Sequence, residues 1–235
     1  MLLFLAAVLP ALVLVYFIFR KDKYKKEPPS QLLKGFGYGA LSALCSSLIS
    51  LPLMYLGLYT TDPQTAGESI RLAVFGAGIP EELTKFFFLC LLLRKNPWYD
   101  ERVDGIVYAV CVGMGFAALE NIEYLVANYA NWVQVSTVRA FVSIPGHFFF
   151  AVTMGYFLSK AKFASPAKSR LNTALAIICP IILHSAFDAF LMVSQYAALA
   201  GGALSLFAGL YIYMAVASKR RFENLLAEDG KDLGI

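Results

Sequence analysis

The residues of this chain that are best suited to chemistry lie inside its apolar stretches. Both histidines, His147 and His184, are surrounded by long apolar runs, and Asp188 follows His184 by four residues. Ionisable side chains are costly at membrane depth, so they are rare there and by default mark a functional site. Imidazole and carboxylate groups bind transition metals and transfer protons. The pattern predicts a buried, hydrated site built from Glu81, Glu82, Lys85, Glu120, His147, His184 and Asp188.

The spacing of these residues suggests how two groups of them work. Residues four apart share one face of a helix, so Asp188 can bind a metal beside His184 or set the tautomer of its imidazole. Glu81 and Glu82 are neighbours, and their side chains point about 100° apart on a helix, which suits them to different tasks. Lys85 lies four residues after Glu81 and three after Glu82, so it can neutralise whichever glutamate faces it.

The elements that position these residues are predicted to be hydrophobic helices. The chain of 235 residues is 59% hydrophobic and has a mean hydropathy of +0.63, well above that of a soluble domain. A membrane span needs roughly 20 apolar residues, and all its backbone polar groups must be satisfied internally. We therefore expect an all-α polytopic membrane helix bundle that forms one domain over residues 1–235. About seven transmembrane helices are predicted, at residues 2–19, 35–59, 70–93, 104–127, 138–159, 171–194 and 197–217.

The basic residues predict the orientation of the bundle. They concentrate in residues 20–34, 94–102, 160–170 and 218–235, whereas the alternate connections hold only Arg71 and Arg139. Because basic loops stay in the cytoplasm, the N-terminus is expected outside and the C-terminus inside. Residues 20–34 then form a basic cytoplasmic loop, and residues 218–235 a cytoplasmic tail that is frayed or lies on the membrane surface. The net charge of +4 is modest and serves this topology, so nucleic acid is not expected as a partner.

The predicted spans place the chemical residues at comparable depths. Glu120 lies 16 residues beyond the cytoplasmic start of its span, which is about 24 Å of helix rise. By the same count His147, His184 and Asp188 fall in the outer half of the membrane, and the two adjacent glutamates fall near its middle. These side chains are therefore expected to converge in one cavity that opens towards the outside.

Three motifs occur in order on successive predicted helices. Glu81 to Lys85 forms EExxK, Phe116 to Glu120 forms FxxxE, and His184 to Asp188 forms HxxxD. Together with Pro145-Gly146-His147, they resemble the PrsW family of bacterial intramembrane proteases over about residues 70–195. That family is similar to the wider group of CAAX prenyl proteases and bacteriocin-processing enzymes.

The resemblance implies a site-1-type protease in the bacterial cytoplasmic (plasma) membrane. Such an enzyme cuts a single-span anti-sigma factor near its extracytoplasmic side and thereby starts a sigma-factor stress response. The implied partners are this substrate and the lipid bilayer.

Zinc is the cofactor that this chemistry suggests. A zinc ion activates water and polarises a carbonyl, and catalytic zinc usually has three protein ligands. The chain has only two histidines, so a carboxylate must complete the set. We expect His147 and His184 as nitrogen ligands, with Asp188 or Glu120 as the oxygen ligand.

The two adjacent glutamates are the expected catalytic pair. Glu81 or Glu82 is the predicted general base, and Lys85 holds the other glutamate or balances the charge of the site. A metal-free reaction stays open, in which one glutamate activates water directly and His184 donates to the oxyanion.

Two other classes of function bury similar residues. An ion- or proton-coupled transporter also holds acids and histidines in the membrane, but the sequence shows no inverted repeat. A seven-span receptor or a scaffold with polar contacts between helices is the second alternative, and the short loops disfavour a receptor.

Overall fold

The computed structural model describes residues 1–234, and it is helical throughout. Hydrophobic runs separated by short polar connections give these helices in chain order: α1 (Leu2–Lys21), α2 (Pro29–Tyr55), α3 (Ala66–Arg71), a π-helix (Leu72–Gly78), α4 (Ile79–Leu93), α5 (Asp104–Ala127), a 3-10 turn (Tyr129–Asn131), α6 (Trp132–Phe141), α7 (Ser143–Lys162), α8 (Pro166–Val193) and α9 (Ala200–Asp232). The predicted all-α architecture is confirmed. Six stretches are long and apolar enough to cross a membrane: Leu2–Lys21, Pro29–Tyr55, Asp104–Ala127, Tyr129–Lys162, Pro166–Val193 and Ala200–Asp232.

The predicted third span, 70–93, is built from three consecutive pieces rather than one helix. Thr65 begins α3 with a capping box, in which its hydroxyl accepts from the backbone N–H of Glu68 and the Glu68 carboxylate accepts from that of Thr65. The π-helix follows, and α4 starts with Pro80 in its first turn, where the missing N–H costs least. The seventh span and the orientation across the membrane stay predictions.

The central element of the bundle is α5. Nearly every residue from Asp104 to Ala118 is buried, because α1, α2, α7 and α4 surround this helix. The approach of α2 is so close that a Cβ at Gly115 would lie 1.9 Å from the carbonyl oxygen of Phe36. Below, the two ends of the bundle are called the Asp104 end and the Ala127 end, after the first and last residues of α5.

The C-terminal segment forms part of the packed structure at the Asp104 end. α9 runs without a break to Asp232, and Phe222 and Leu225 lie in the main hydrophobic core. The Asp229 carboxylate accepts from the backbone N–H groups of Arg102 and Val103, both at 2.9 Å. The prediction of a frayed or surface-lying tail is therefore wrong, because apolar burial and this carboxylate hold it against the α4–α5 loop.

Candidate active site

Four helices bring the predicted chemical residues to one pocket near the Ala127 end. The pocket has a volume of about 240 Å³ and is lined by side chains of α4, α5, α7 and α8 and by the π-helix. The residues predicted from the sequence that line it are Glu81, Glu120, His147, His184 and Asp188. Glu82 and Lys85 lie directly beneath, within hydrogen-bonding distance of these residues. The expected convergence is confirmed.

Glu81 and Glu82 occupy different environments. The Lys85 ammonium donates to Glu82 Oε1 at 2.8 Å and to Glu81 Oε2 at 3.3 Å. Glu82 is fully buried, whereas Glu81 borders the pocket. The local backbone allows this placement because a Cβ at Gly78 would lie 2.1 Å from Ser185 Oγ, so glycine lets the start of α4 press against α8.

His184 is held on three sides. Its Nδ1 lies 2.9 Å from Glu82 Oε1, and its Nε2 lies 3.3 Å from Asp188 Oδ2 and 3.8 Å from Glu81 Oε2. The ring stacks on Phe150 with centroids 4.6 Å apart. When Nδ1 donates a hydrogen bond to the buried Glu82 carboxylate, Nε2 is the nitrogen that remains for a metal ion.

His147 is held by a different carboxylate and by the ammonium of Lys85. Its Nε2 lies 3.0 Å from Glu120 Oε2, and its Nδ1 lies 3.1 Å from Lys85 Nζ. Glu120 in turn accepts from the guanidinium of Arg139 at 2.5 Å. Arg139 was missed as a site residue from the sequence, where it figured only in the charge bias. The available signal was that Arg139 is one of only two basic residues in the connections that the charge bias predicts to be outside.

The donor atoms fit a transition metal. Glu81, His147 and His184 each offer one ligand atom, and these atoms lie within 4.8 Å of one another. Two imidazoles and one carboxylate form a known donor set of catalytic zinc.

The charge balance of the pocket agrees with this fit. Four carboxylates, at Glu81, Glu82, Glu120 and Asp188, face only the cations Lys85 and Arg139 within residues 1–234. With neutral histidines, two negative charges remain for a divalent ion to neutralise.

A multi-pass helical bundle with a buried histidine and carboxylate site of this type defines a class, the intramembrane hydrolases with a metal-binding donor set. The family model of the PrsW family intramembrane metalloproteases matches residues 27–219. The chain belongs to this family.

The chain is also similar in sequence to named members of this family. The chain is 37% identical over 193 residues to Protease PrsW of Clostridioides difficile strain 630, which covers 81% of this chain and 79% of that protein. It is 32% identical to Protease PrsW of Geobacillus kaustophilus, over 81% of this chain and 80% of that protein. It is 31% identical to Protease PrsW of Bacillus subtilis strain 168, over 78% of this chain and 79% of that protein. No solved structure matches the chain.

The resemblance inferred from three motifs is thus confirmed, and the match extends well beyond the 70–195 on which it was based. The protein is a peptidase, an intramembrane metalloprotease, and a multi-pass membrane protein of a bacterial family. The transporter, receptor and scaffold alternatives have no support from these findings.

Proposed function

We propose that this protease uses a zinc ion bound by Glu81, His147 and His184. The observation that carries the proposal is the approach of their ligand atoms to within 4.8 Å of one another in a pocket. The sequence favoured Asp188 or Glu120 as the oxygen ligand. Glu120 is less suited to that role because it already accepts from Arg139 and contacts His147.

The carboxylates around this set have separate tasks in the proposal. Glu82 and Glu120 are positioning residues: Glu82 holds His184 through Nδ1, and Glu120 holds His147 through Nε2. Lys85 neutralises Glu82 and offsets part of the charge on Glu81.

Proton transfer then falls to Asp188. When bound, the zinc ion would polarise the scissile carbonyl and lower the pKa of an attacking water. Asp188 lines the pocket, its side chain is 21% exposed, and its Oδ2 lies 3.3 Å from His184 Nε2. With Glu81 assigned to the metal, Asp188 is the carboxylate placed to accept a proton from water and pass it to the leaving amine.

The proposed substrate is a single-span membrane protein, cut near its extracytoplasmic side. The pocket is bordered by Tyr124, Ser143 and Met192, which lie at the end of the bundle that the charge bias predicts outside. A helix with its side chains is about 10–12 Å wide, too large for a pocket of about 240 Å³. The substrate must therefore enter as a locally unwound segment, which also exposes the peptide carbonyl. An anti-sigma factor, as the family resemblance implies, is the proposed substrate.

The test measures bound metal and cleavage in the same samples. The full chain is purified in detergent as wild type, His184→Ala and the matched control Glu123→Gln, whose carboxylate is exposed one turn beyond Glu120. We expect about one zinc per chain in wild type and control, and none in His184→Ala. After reconstitution with a single-span anti-sigma factor, cleavage should be lost on chelation and restored by zinc.

Other outcomes separate the parts of the proposal. Full activity after complete removal of metal would overturn the zinc site and favour direct activation of water by Glu81, with the Lys85 ammonium as the cation near His147. Cleavage of a single-span reporter but of no anti-sigma factor would overturn the substrate and leave the metal assignment standing.

A further inference from the structure

A second group of buried acids lies at the Asp104 end of the bundle, away from the active site. Asp22 follows α1, Glu27 precedes α2, and Asp104 begins α5. Each offers one carboxylate oxygen, and these oxygens lie within 4.8 Å of one another. The three residues are 1%, 2% and 1% exposed, respectively. Acids that are far apart in the chain have thus been brought together inside the protein.

Five of the six carboxylate oxygens of these acids have no hydrogen-bond partner among residues 1–234. Both carboxylate oxygens of Asp22, both of Glu27 and Oδ1 of Asp104 are buried and have no hydrogen-bond partner in residues 1–234. Asp104 Oδ2 accepts from the backbone N–H groups of Asp100 and Glu101, which leaves Oδ1 free to point elsewhere. Such groups cost free energy unless something pairs with them.

Among residues 1–234, no cationic side chain pairs with this cluster. Of the lysines that lie next to these acids in sequence, Lys21 and Lys23 flank Asp22, Lys25 donates to Asp100 at 2.7 Å, and Lys26 donates to the carbonyl oxygen of Phe19 at 2.9 Å. Across the described part of the chain, none of the three acids takes part in an ion pair. Burial and the neighbouring Asp104 and Asp22 carboxylates raise the pKa of Glu27 to about 10.

A tyrosine hydroxyl near the cluster is also buried without a hydrogen-bond partner among residues 1–234. The hydroxyl of Tyr108 lies one helical turn beyond Asp104 on the same face of α5, is fully buried and has no partner among residues 1–234. It lies within electrostatic reach of Glu27 and Asp104. Oε1 of the nearby Glu101 is also buried without a partner.

We propose that Asp22, Glu27 and Asp104 bind a hard divalent cation, Mg²⁺ or Ca²⁺. The donor set contains only oxygen, which these ions prefer and which distinguishes it from the imidazole-containing set at the active site. The two sites are separate, because Asp104 and Glu120 lie 16 residues apart on one helix, about 24 Å.

Bound there, the cation joins three parts of the chain. It ties the α1–α2 connection, through Asp22 and Glu27, to the first residue of the central helix. The preceding loop is already fixed to α9 through Asp229. The site therefore stabilises the fold at the Asp104 end, and ion binding should raise the resistance of the protein to heat.

The experiment is a thermal-unfolding titration of the full chain in detergent after treatment with EDTA. Mg²⁺ and Ca²⁺ are added separately to wild type, to Glu27→Gln and to the control Glu223→Gln, an exposed acid on α9. We expect a saturable rise in wild type and control, about 5 °C at roughly one hundred times Kd. The ion with the lower midpoint concentration is the preferred one. In Glu27→Gln the rise should be lost, and the unfolding temperature in EDTA should exceed that of wild type, because glutamine is neutral without the proton that buried Glu27 must take up on folding.

The same titration in His184→Ala assigns the effect to the second site. The rise should persist in this variant, because the substitution removes the zinc site but leaves Asp22, Glu27 and Asp104 in place. No rise in wild type, an equal rise in Glu27→Gln, or loss of the rise in His184→Ala would each overturn the proposal. If Glu27→Gln does not fold, Asp22→Asn takes its place, and the wild-type titration decides independently.

Discussion

Carboxylates are buried near both ends of α5, but they are surrounded by different partners. Around Glu120 the acids contact two imidazoles, the Lys85 ammonium and the Arg139 guanidinium. Around Asp104 one carboxylate oxygen accepts from backbone N–H groups, and five others have no hydrogen-bond partner in the described part of the chain. Buried carboxylates therefore have different roles at the two ends of α5. Nitrogen donors and fixed cations suit a reactive metal at one end, whereas oxygen alone suits a hard ion that only stabilises.

The largest effect that we expect is a contrast in stability between the two ends. Substitution of a buried cation should lower the unfolding midpoint, whereas substitution of a buried acid should raise it. Lys85→Met leaves Glu81 and Glu82 buried without their ammonium, and breaking a buried pair costs about 3–5 kcal/mol. Thermal unfolding in EDTA should show a much lower midpoint for Lys85→Met, whereas Glu27→Gln shifts it upward.

Lys34→Met supplies the matched control, because Lys34 is exposed on α2. Its midpoint should stay close to wild type. A Lys85→Met protein as stable as wild type in EDTA would show that the two glutamates do not depend on the ammonium, and the contrast between the two ends would then disappear.

A smaller effect is expected from Glu120→Gln. This change keeps the shape of the side chain but removes the charge that orients His147 and pairs with Arg139. Loss of such an orienting carboxylate typically lowers metal affinity or activity by about 10–100-fold. Zinc titration with a competing chelator and cleavage rates should both show it, while Glu123→Gln stays at wild-type values. Unchanged affinity in Glu120→Gln would remove Glu120 from the metal site.

The smallest effect is expected at the rim of the Asp104 end. Lys25 and Asp100 pair at 2.7 Å with side chains that are 59% and 44% exposed, and such pairs contribute little. Lys25→Ala should leave both the unfolding midpoint and its rise with Mg²⁺ or Ca²⁺ unchanged. A lost rise would mean that ion binding depends on the pair between Lys25 and Asp100.

The two ends also differ in how far the sequence predicts them. Ionisable residues inside apolar runs stand out, so Glu81, Glu120, His147, His184 and Asp188 were identified from their context. Asp22, Glu27 and Asp104 lie in or beside polar connections, where acids are usually solvated. Their burial depends on how loops pack, which local composition does not record.

Other features depend on tertiary contacts in the same way. Glu81 faces the pocket and Glu82 faces away from it because of the rotation of α4 about its axis. The spacing of the two residues in the sequence does not determine this rotation. The pairing of Arg139 with Glu120 joins α6 to α5. The ordered end of α9 depends on Asp229 finding the N–H groups of the α4–α5 loop.

The π-helix before α4 has a consequence for chain length rather than for side chains. Its bonds run five residues back, as in the bond from the Ile79 N–H to the Val74 carbonyl, so this turn holds one residue more than an α-turn. Because the wider turn absorbs this extra residue, deletion of a single residue between Leu72 and Gly78 would convert it to α-helix and leave the EExxK motif in nearly the same phase relative to α3. The phase of the active-site helix is therefore preserved across one additional residue, which the wider turn accommodates.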